Sequence, residues 1–237
     1  MERADEIRQT VREYYAERAS GGSCCAGTNC CGGAEASEDL VGSSLGCGTP
    51  LASAEVQPGE TVVDLGSGAG GDVLRAAQQV GPHGRAIGVD MTPEMVWKAR
   101  ENARRNSAAN TEFYLGEIER LPLADGSADV VISNCVVNLA PDKDAVFGEA
   151  FRVLRPGGRL IVADMVSQGP LPEAIRADPA AWAGCIAGAA EVTEYLATIR
   201  RAGFERVETV ASTPSSPGQV FSVTVRAVKP SACWVAG

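Results

Sequence analysis

Thr61-Val62-Val63-Asp64-Leu65-Gly66-Ser67-Gly68-Ala69-Gly70-Gly71 is the stretch that decides the fold. A short apolar run ends in a carboxylate and breaks into glycines. The run reads as a buried strand, and Ala69–Val80 behind it as a helix. Glycines at such a junction permit a tight turn and close approach of a ligand to the backbone. Outward from this unit the pattern repeats. Arg85–Asp90 is a second strand. Thr92 with Pro93 opens a helix running to about Asn106. Thr111–Leu115 and Ala128–Ser133 are further strands, the latter carrying the unbroken apolar run Val130-Val131-Ile132 that suits a central parallel strand. Asp142–Leu154 is a helix stopped by Pro156-Gly157-Gly158, Arg159–Asp164 a fifth strand, and Thr193–Ala202 a helix closed by Gly203. Strands alternating with helices imply a parallel sheet with right-handed crossovers, an α/β fold. Glu205–Ala211 and Val220–Val228 have no helix between them, which predicts an antiparallel hairpin at one edge.

The N-terminal part differs. Ile7, Val11 and Tyr14 or Tyr15 recur at helical spacing over residues 1 to about 19. Residues 20–37 are rich in Gly, Ser and Cys, and Gly42–Pro50 is irregular. The expected organisation is a helix and Cys-rich cap over 1–58, a ligand-binding core over 59–165, a substrate-side insertion and C-terminal strands over 166–230, and a tail over 231–237.

The composition narrows the chemistry. The 237 residues carry a formal net charge of −9, a poor balance for binding phosphate backbones. There is one histidine, His83, in a Gly81-Pro82-His83-Gly84 turn. That rules out two-His and three-His zinc sites and any His pair working as acid and base. There are eight cysteines. The charged start shows no export signal and no stretch of about 20 apolar residues occurs, so a cytoplasmic chain with no membrane span is expected. Cysteines there stay reduced, and so many of them point to metal or metalloid binding, redox work or catalysis.

The glycine loop fits two fingerprints: a dinucleotide one (Gly66, Gly68, Gly71) and a methyl-donor one (Asp64, Gly66, Gly68, Gly70). Three further features favour the second. Asp90 ends strand two, where a carboxylate accepts ribose hydroxyls. Gly116-Glu117-Ile118 follows strand three, and Leu154-Arg155-Pro156-Gly157-Gly158 precedes strand five. Asp64 before the loop would stabilise a sulfonium or amine and repel a pyrophosphate. The run from Asp64 to Asp164 resembles a class I methyltransferase using S-adenosylmethionine. The resemblance implies a seven-stranded, mostly parallel Rossmann-like sheet with an antiparallel last strand and helices on both faces. It also implies that Asp64, Gly66, Ser67, Gly68 and Gly70 surround the methionine part of the cofactor. Asp90 and Met91 would take the ribose, Glu117 and Ile118 the adenine, and Asn134 the floor.

The cysteines bear on the substrate. Cys135 lies at the carboxyl end of strand four, where ligands bind in open α/β sheets. Cys185, in Gly184-Cys185-Ile186-Ala187-Gly188-Ala189, follows strand five, and Cys47 precedes strand one between two glycines. Each also admits a packing role, since cysteine is among the most buried residue types. The Cys24, Cys25, Cys30, Cys31 cluster lacks usual zinc-ribbon spacing. The double Cys-Cys loop, Gly46-Cys47-Gly48, Ser133-Asn134-Cys135-Val136 with Asn138-Leu139, and the Cys185 stretch resemble the arsenite S-adenosylmethionine methyltransferases. The resemblance implies methylation of arsenite or its thiol conjugates for detoxification. Cys47 and Cys185 would be the arsenic ligands, with Cys135 a ligand or redox partner. The third ligand is left open among Cys24, Cys25, Cys30, Cys31, Cys233 and an external thiol. Trivalent arsenic is soft and suits thiolates. It carries no proton to lose, so no general base is needed. The pentavalent product would require reduction by protein thiols, thioredoxin or glutathione. Two other readings stand beside this one: a small-molecule C- or O-methyltransferase of the quinone-precursor type, and a non-catalytic metalloid-binding protein.

Overall fold

The computed structural model describes residues 2–19, 48–178, 181–182, 184–214 and 220–231. Cys24, Cys25, Cys30, Cys31, Cys47 and Cys233, with the roles expected of them, lie outside the described residues. Among the described residues, eight strands form one sheet: β1 (Thr61–Leu65), β2 (Arg85–Asp90), β3 (Thr111–Leu115), β4 (Ala128–Asn134), β5 (Leu154–Ser167), β6 (Ala190–Glu191), β7 (Glu205–Pro214) and β8 (Val220–Val228). Their order is β3-β2-β1-β4-β5-β8-β7, with the two-residue β6 pairing β5. All pairs are parallel except β5–β8 and β7–β8. The predicted late hairpin thus exists. Its last strand inserts between β5 and β7, and β7 becomes the edge.

The helices are α1 (Glu2–Ala19), α2 (Gly71–Val80), α3 (Pro93–Arg105), α4 (Lys143–Val153), α5 (Glu173–Arg176) and α6 (Val192–Arg201). Two apolar clusters fill the two faces of the sheet. One packs Val73, Leu74 and Val80 of α2 and Val96 and Ala99 of α3 against Val62, Val130 and Ile161. The other packs Val146, Phe147 and Val153 of α4 and Tyr195 and Ile199 of α6 against Val63, Val131, Leu160 and Val225. Phe147 meets Tyr195 edge-on at 5.4 Å between ring centroids, the geometry aromatic quadrupoles favour. Among the described residues, no helix is long and apolar enough to cross a membrane.

Three local readings change. α2 starts at Gly71 rather than Ala69, because Gly70 stands at its N-cap with φ +86°. β5 begins at Leu154, since Leu154 already pairs Ala128 before the irregularity that restores the ladder at Val130–Arg159. Thr92 occupies the N-cap of α3, but its hydroxyl turns to Asp90 instead of capping the helix. Asp142, by contrast, caps α4 by accepting from the Ala145 N–H at 2.9 Å.

Register positions the site. Leu65 pairs both Val89 and Ser133, and Asn134 pairs Ala163. Gly66, Asp90 and Asn134 therefore stand at nearly one level, at the carboxyl ends of three adjacent parallel strands, with Asp164 beside them in β5, which runs on to Ser167.

Candidate functional site

A cavity of about 350 Å³ opens at these strand ends. Its wall includes Asp64, Gly66, Ser67, Gly68, Asp90, Met91, Ile118, Asn134 and Cys135. Ten cofactor residues were expected, and eight of them are on this wall. Gly70 and Glu117 are not. Gly70 sits one residue behind, at the α2 N-cap. Glu117 turns outward, 3.8 Å from both Arg8 and Arg12 of α1. The acidic side chain on the wall is Glu119, which accepts from Arg8 at 3.0 Å.

The glycine loop is shaped by close approach. Gly66 has φ +69°, and a Cβ there would lie 2.5 Å from a Val136 methyl. Gly66 and Ser67 donate backbone N–H groups to the Val89 carbonyl, which ties the loop to the end of β2. The Asp90 carboxylate accepts from the Gly68 N–H at 2.9 Å and from the Thr92 N–H at 2.8 Å. Burial raises its pKa, and these hydrogen bonds oppose that rise.

Asp64 is buried, and its pKa is held well above the usual carboxylate range, first by burial and then by Asp72 and Asp90. The charges it senses are of its own sign. A cation brought into the cavity reverses that balance, whereas a pyrophosphate would add to the repulsion. Three cationic side chains do reach the wall, and each is engaged elsewhere. Arg8 binds Glu119, Arg18 stacks 3.3 Å over the Tyr14 ring, and Lys98 donates to the Ala19 carbonyl at 3.4 Å. The donor set thus fits the sulfonium and ammonium of S-adenosylmethionine, with Asp90 placed to accept ribose hydroxyls.

The sequence reading missed α1 as part of the wall. Arg8, Val11, Tyr15 and Arg18 all contribute. Val11 and Tyr15 join a third apolar cluster over the strand ends, together with Cys135, Leu139, Met165, Leu171 and Cys185. The apolar spacing of Ile7, Val11 and Tyr15 was visible as an amphipathic face, but nothing local says where that face docks. Burial and then Cys185 raise the pKa of Tyr15, so its phenol stays neutral.

The two described cysteines meet here. Both are buried. Cys135 is on the cavity wall. Cys185 is not, and sits directly behind it: its Sγ donates to the Cys135 carbonyl at 3.5 Å. Both have left-handed backbones, with φ of +58° and +63°. Non-glycine residues seldom adopt this region, and such strain concentrates at functional sites. Cys135 is disulfide-bonded. Asn134 donates from Nδ2 to the Gly48 carbonyl at 2.9 Å, so the chain following Cys47 is tied to the residue before Cys135. A Cβ on Gly48 would lie 2.7 Å from that of Ala163, so this segment rests directly on the end of β5.

Residues 56–203 match the family described as methyltransferase domain. A curated arsenite methyltransferase from Halobacterium salinarum is 51% identical, over 86% of this chain and 59% of its own length. One from Aquipseudomonas alcaligenes is 40% identical, over 72% of this chain and 51% of its own. The chain thus spans little more than half the length of these relatives. The crystal structure of an arsenic (III) S-adenosylmethionine methyltransferase from Chlamydomonas reinhardtii superposes with a TM-score of 0.66 at 35% identity, covering 78% of this chain and 68% of that one. With a carboxylate-flanked glycine loop at the strand ends, S-adenosylmethionine as the cofactor that suits it, and these relatives, the chain belongs to the arsenite methyltransferase branch of the class I methyltransferase family.

Proposed function

We propose that this protein methylates trivalent arsenic held by cysteine sulfurs, in the service of arsenic detoxification. The observation that carries the reading is the placement of Cys135 on the wall of the cofactor cavity with the Cys185 thiol against its carbonyl. An ordinary carbon or oxygen methyltransferase has no use for strained, buried cysteines at this point.

S-adenosylmethionine supplies an electrophilic methyl group when bound. Asp64 would face its cationic end, Asp90 would hold its ribose, and Ile118 would border its adenine. Cys185 and Cys47 hold the arsenic, and Cys135 completes three sulfurs when reduced. Thiols displace hydroxide from arsenite as water, which leaves a pyramidal arsenic with its lone pair exposed. Soft thiolates suit this atom. The lone pair is the nucleophile, so no side chain has to remove a proton. The gain is one of position, since holding two reactants in line supplies several kcal/mol of a barrier, about 7–11 at most. The neutral phenol of Tyr15 and the apolar cluster from α1 exclude water from the thiol side.

Methylation leaves arsenic pentavalent. Its return to the trivalent state takes two electrons, which two thiols supply on forming one disulfide with release of two protons. The disulfide at Cys135 is the state expected after that step, and thioredoxin or glutathione would reopen it. The experiment is a time course with arsenite, S-adenosylmethionine and thiol, resolving arsenic species. Wild type should give methylated arsenic, and Cys185→Ser should give none. Unimpaired turnover in Cys185→Ser would overturn the reading.

A further inference from the structure

The two cysteines that meet at the site come from segments 50 positions apart, one leaving β4 and one following β5. One buried residue of the first segment reaches across to the second. Asn138 lies three residues after Cys135, fully buried, in a short helical turn over Val137–Leu139. Its Nδ2 donates to the Cys185 carbonyl at 3.0 Å. Its backbone N–H donates to Asp164 Oδ2 at 2.8 Å, and its carbonyl accepts from Lys143 Nζ at 3.3 Å. Asp164 is itself held by the Tyr195 hydroxyl at 3.0 Å and the Met165 N–H at 2.9 Å. Asn138 is therefore fixed to the sheet from below before it reaches Cys185.

The Cys185 turn is moulded onto it. A Cβ on Gly188 would lie 1.9 Å from the Asn138 carbonyl oxygen, closer than any side chain tolerates. Only glycine lets the turn seat there. The remaining Asn138 oxygen, Oδ1, is buried with no hydrogen-bond partner among the described residues. An unmet buried acceptor is unfavourable, and an apolar residue of the same volume would avoid it. What a leucine would lose is the bond to Cys185.

We propose that Asn138 is a positioning residue for arsenic. Braced by Asp164, it sets the left-handed turn of Cys185 against that of Cys135 so that two sulfurs from separate segments address one atom. It acts through Cys185 and touches neither cofactor nor substrate. This rests on the arsenic reading above and adds a determinant to it.

The test uses two variants that perturb the clip from opposite sides. Asn138→Leu removes the Nδ2 donor at near-constant volume. Gly188→Ala pushes the turn off the Asn138 carbonyl without changing any polar group. The probes are phenylarsine oxide, a trivalent arsenical that needs two thiols, titrated into reduced full-length protein; S-adenosylhomocysteine affinity; and arsenite kinetics. Cys135→Ser and Cys185→Ser mark the background from other thiols. In both clip variants phenylarsine oxide affinity and kcat/KM for arsenite should fall, the latter by up to about a hundredfold, the scale of a misplacement near 1 Å. S-adenosylhomocysteine affinity should stay within about twofold of wild type. Unchanged arsenical binding and kinetics in either variant overturns the proposal. So does a parallel loss of S-adenosylhomocysteine affinity in both, which would make the clip a general support of the fold. If wild type itself neither binds phenylarsine oxide through Cys185 nor methylates arsenite, it is the underlying reading that fails.

Discussion

Asp164 should make folding stability fall as pH rises through neutrality. It is wholly buried, and burial pushes its pKa up to about 7, against the opposing effects of the Met165 N–H, the Lys143 charge, the Tyr195 hydroxyl and the Asn138 N–H. An unfolded aspartate titrates near ~3.9. The folded pKa is therefore the higher one. Its stabilising contribution is complete below about pH 4 and is lost as pH rises through about 7. A difference of about 3 pH units amounts to roughly 4 kcal/mol in all. About 1.5 of that is gone by pH 5, which leaves about 2–3 kcal/mol to be lost between pH 5 and pH 8. The perturbation is Asp164→Asn, and the assay is urea unfolding of the reduced protein at several pH values and constant ionic strength. Wild type should lose that amount over the interval, and the variant about 2–3 kcal/mol less than wild type. Asp64 and Asp90, also raised by burial, act in the same direction. Lys143, whose pKa burial lowers, acts in the opposite one. Asp64 and Asp90, present in both proteins, largely cancel from the comparison, whereas Lys143 is coupled to Asp164, and loss of the carboxylate charge moves its pKa further down, which widens the difference in the same sense. The absolute stability of the variant is not the readout, because an amide cannot accept every bond Asp164 accepts. Parallel pH profiles for the two proteins would refute the reasoning.

Gly66→Ala should abolish measurable S-adenosylhomocysteine binding by calorimetry, because the added Cβ meets Val136 at 2.5 Å in a left-handed backbone, a strain of about 1–3 kcal/mol before any clash is relieved. Asp64→Asn should raise the thermal midpoint of the cofactor-free protein while weakening S-adenosylmethionine at least about tenfold, since it removes a buried charge that only a cationic ligand compensates. Arg8→Ala should loosen α1 by cutting the 3.0 Å bond to Glu119. Stability should change by less than about 1 kcal/mol in urea unfolding, as the pair is partly solvated, while cofactor dissociation speeds up in stopped-flow. Phe147→Ala should cost about 3–5 kcal/mol in the same unfolding assay, because a ring buried against Tyr195 leaves a cavity.

Much of the site was legible because it is local. The loop from Asp64 to Gly71 bends through glycines that are adjacent in sequence, and Asp90 ends a strand whose boundaries periodicity marks. Eight of the expected cofactor residues reach the cavity wall for that reason. Glu117 did not, because a strand-end residue and its second neighbour differ by a turn of the chain, and the choice between Glu117 and Glu119 was made by Arg8 on a distant helix. The Thr92 hydroxyl was drawn from its helix by Asp90 in the same way.

The residues alone determined the strand–helix alternation, the hairpin after α6 and the cofactor loop, since hydrophobic period and glycine position act over a few residues each. They also supplied eight cysteines and a single histidine, the composition on which the proposal of thiol-held arsenic rests. Tertiary structure decided the rest. It docked α1 over the strand ends and gave Cys135 and Cys185 the same left-handed turn. It also set Asn138 between them, with Asp164 beneath. Each of these depends on contacts between segments tens of residues apart. Such contacts are selected by sheet register and by burial, and neither leaves a periodic trace in the chain.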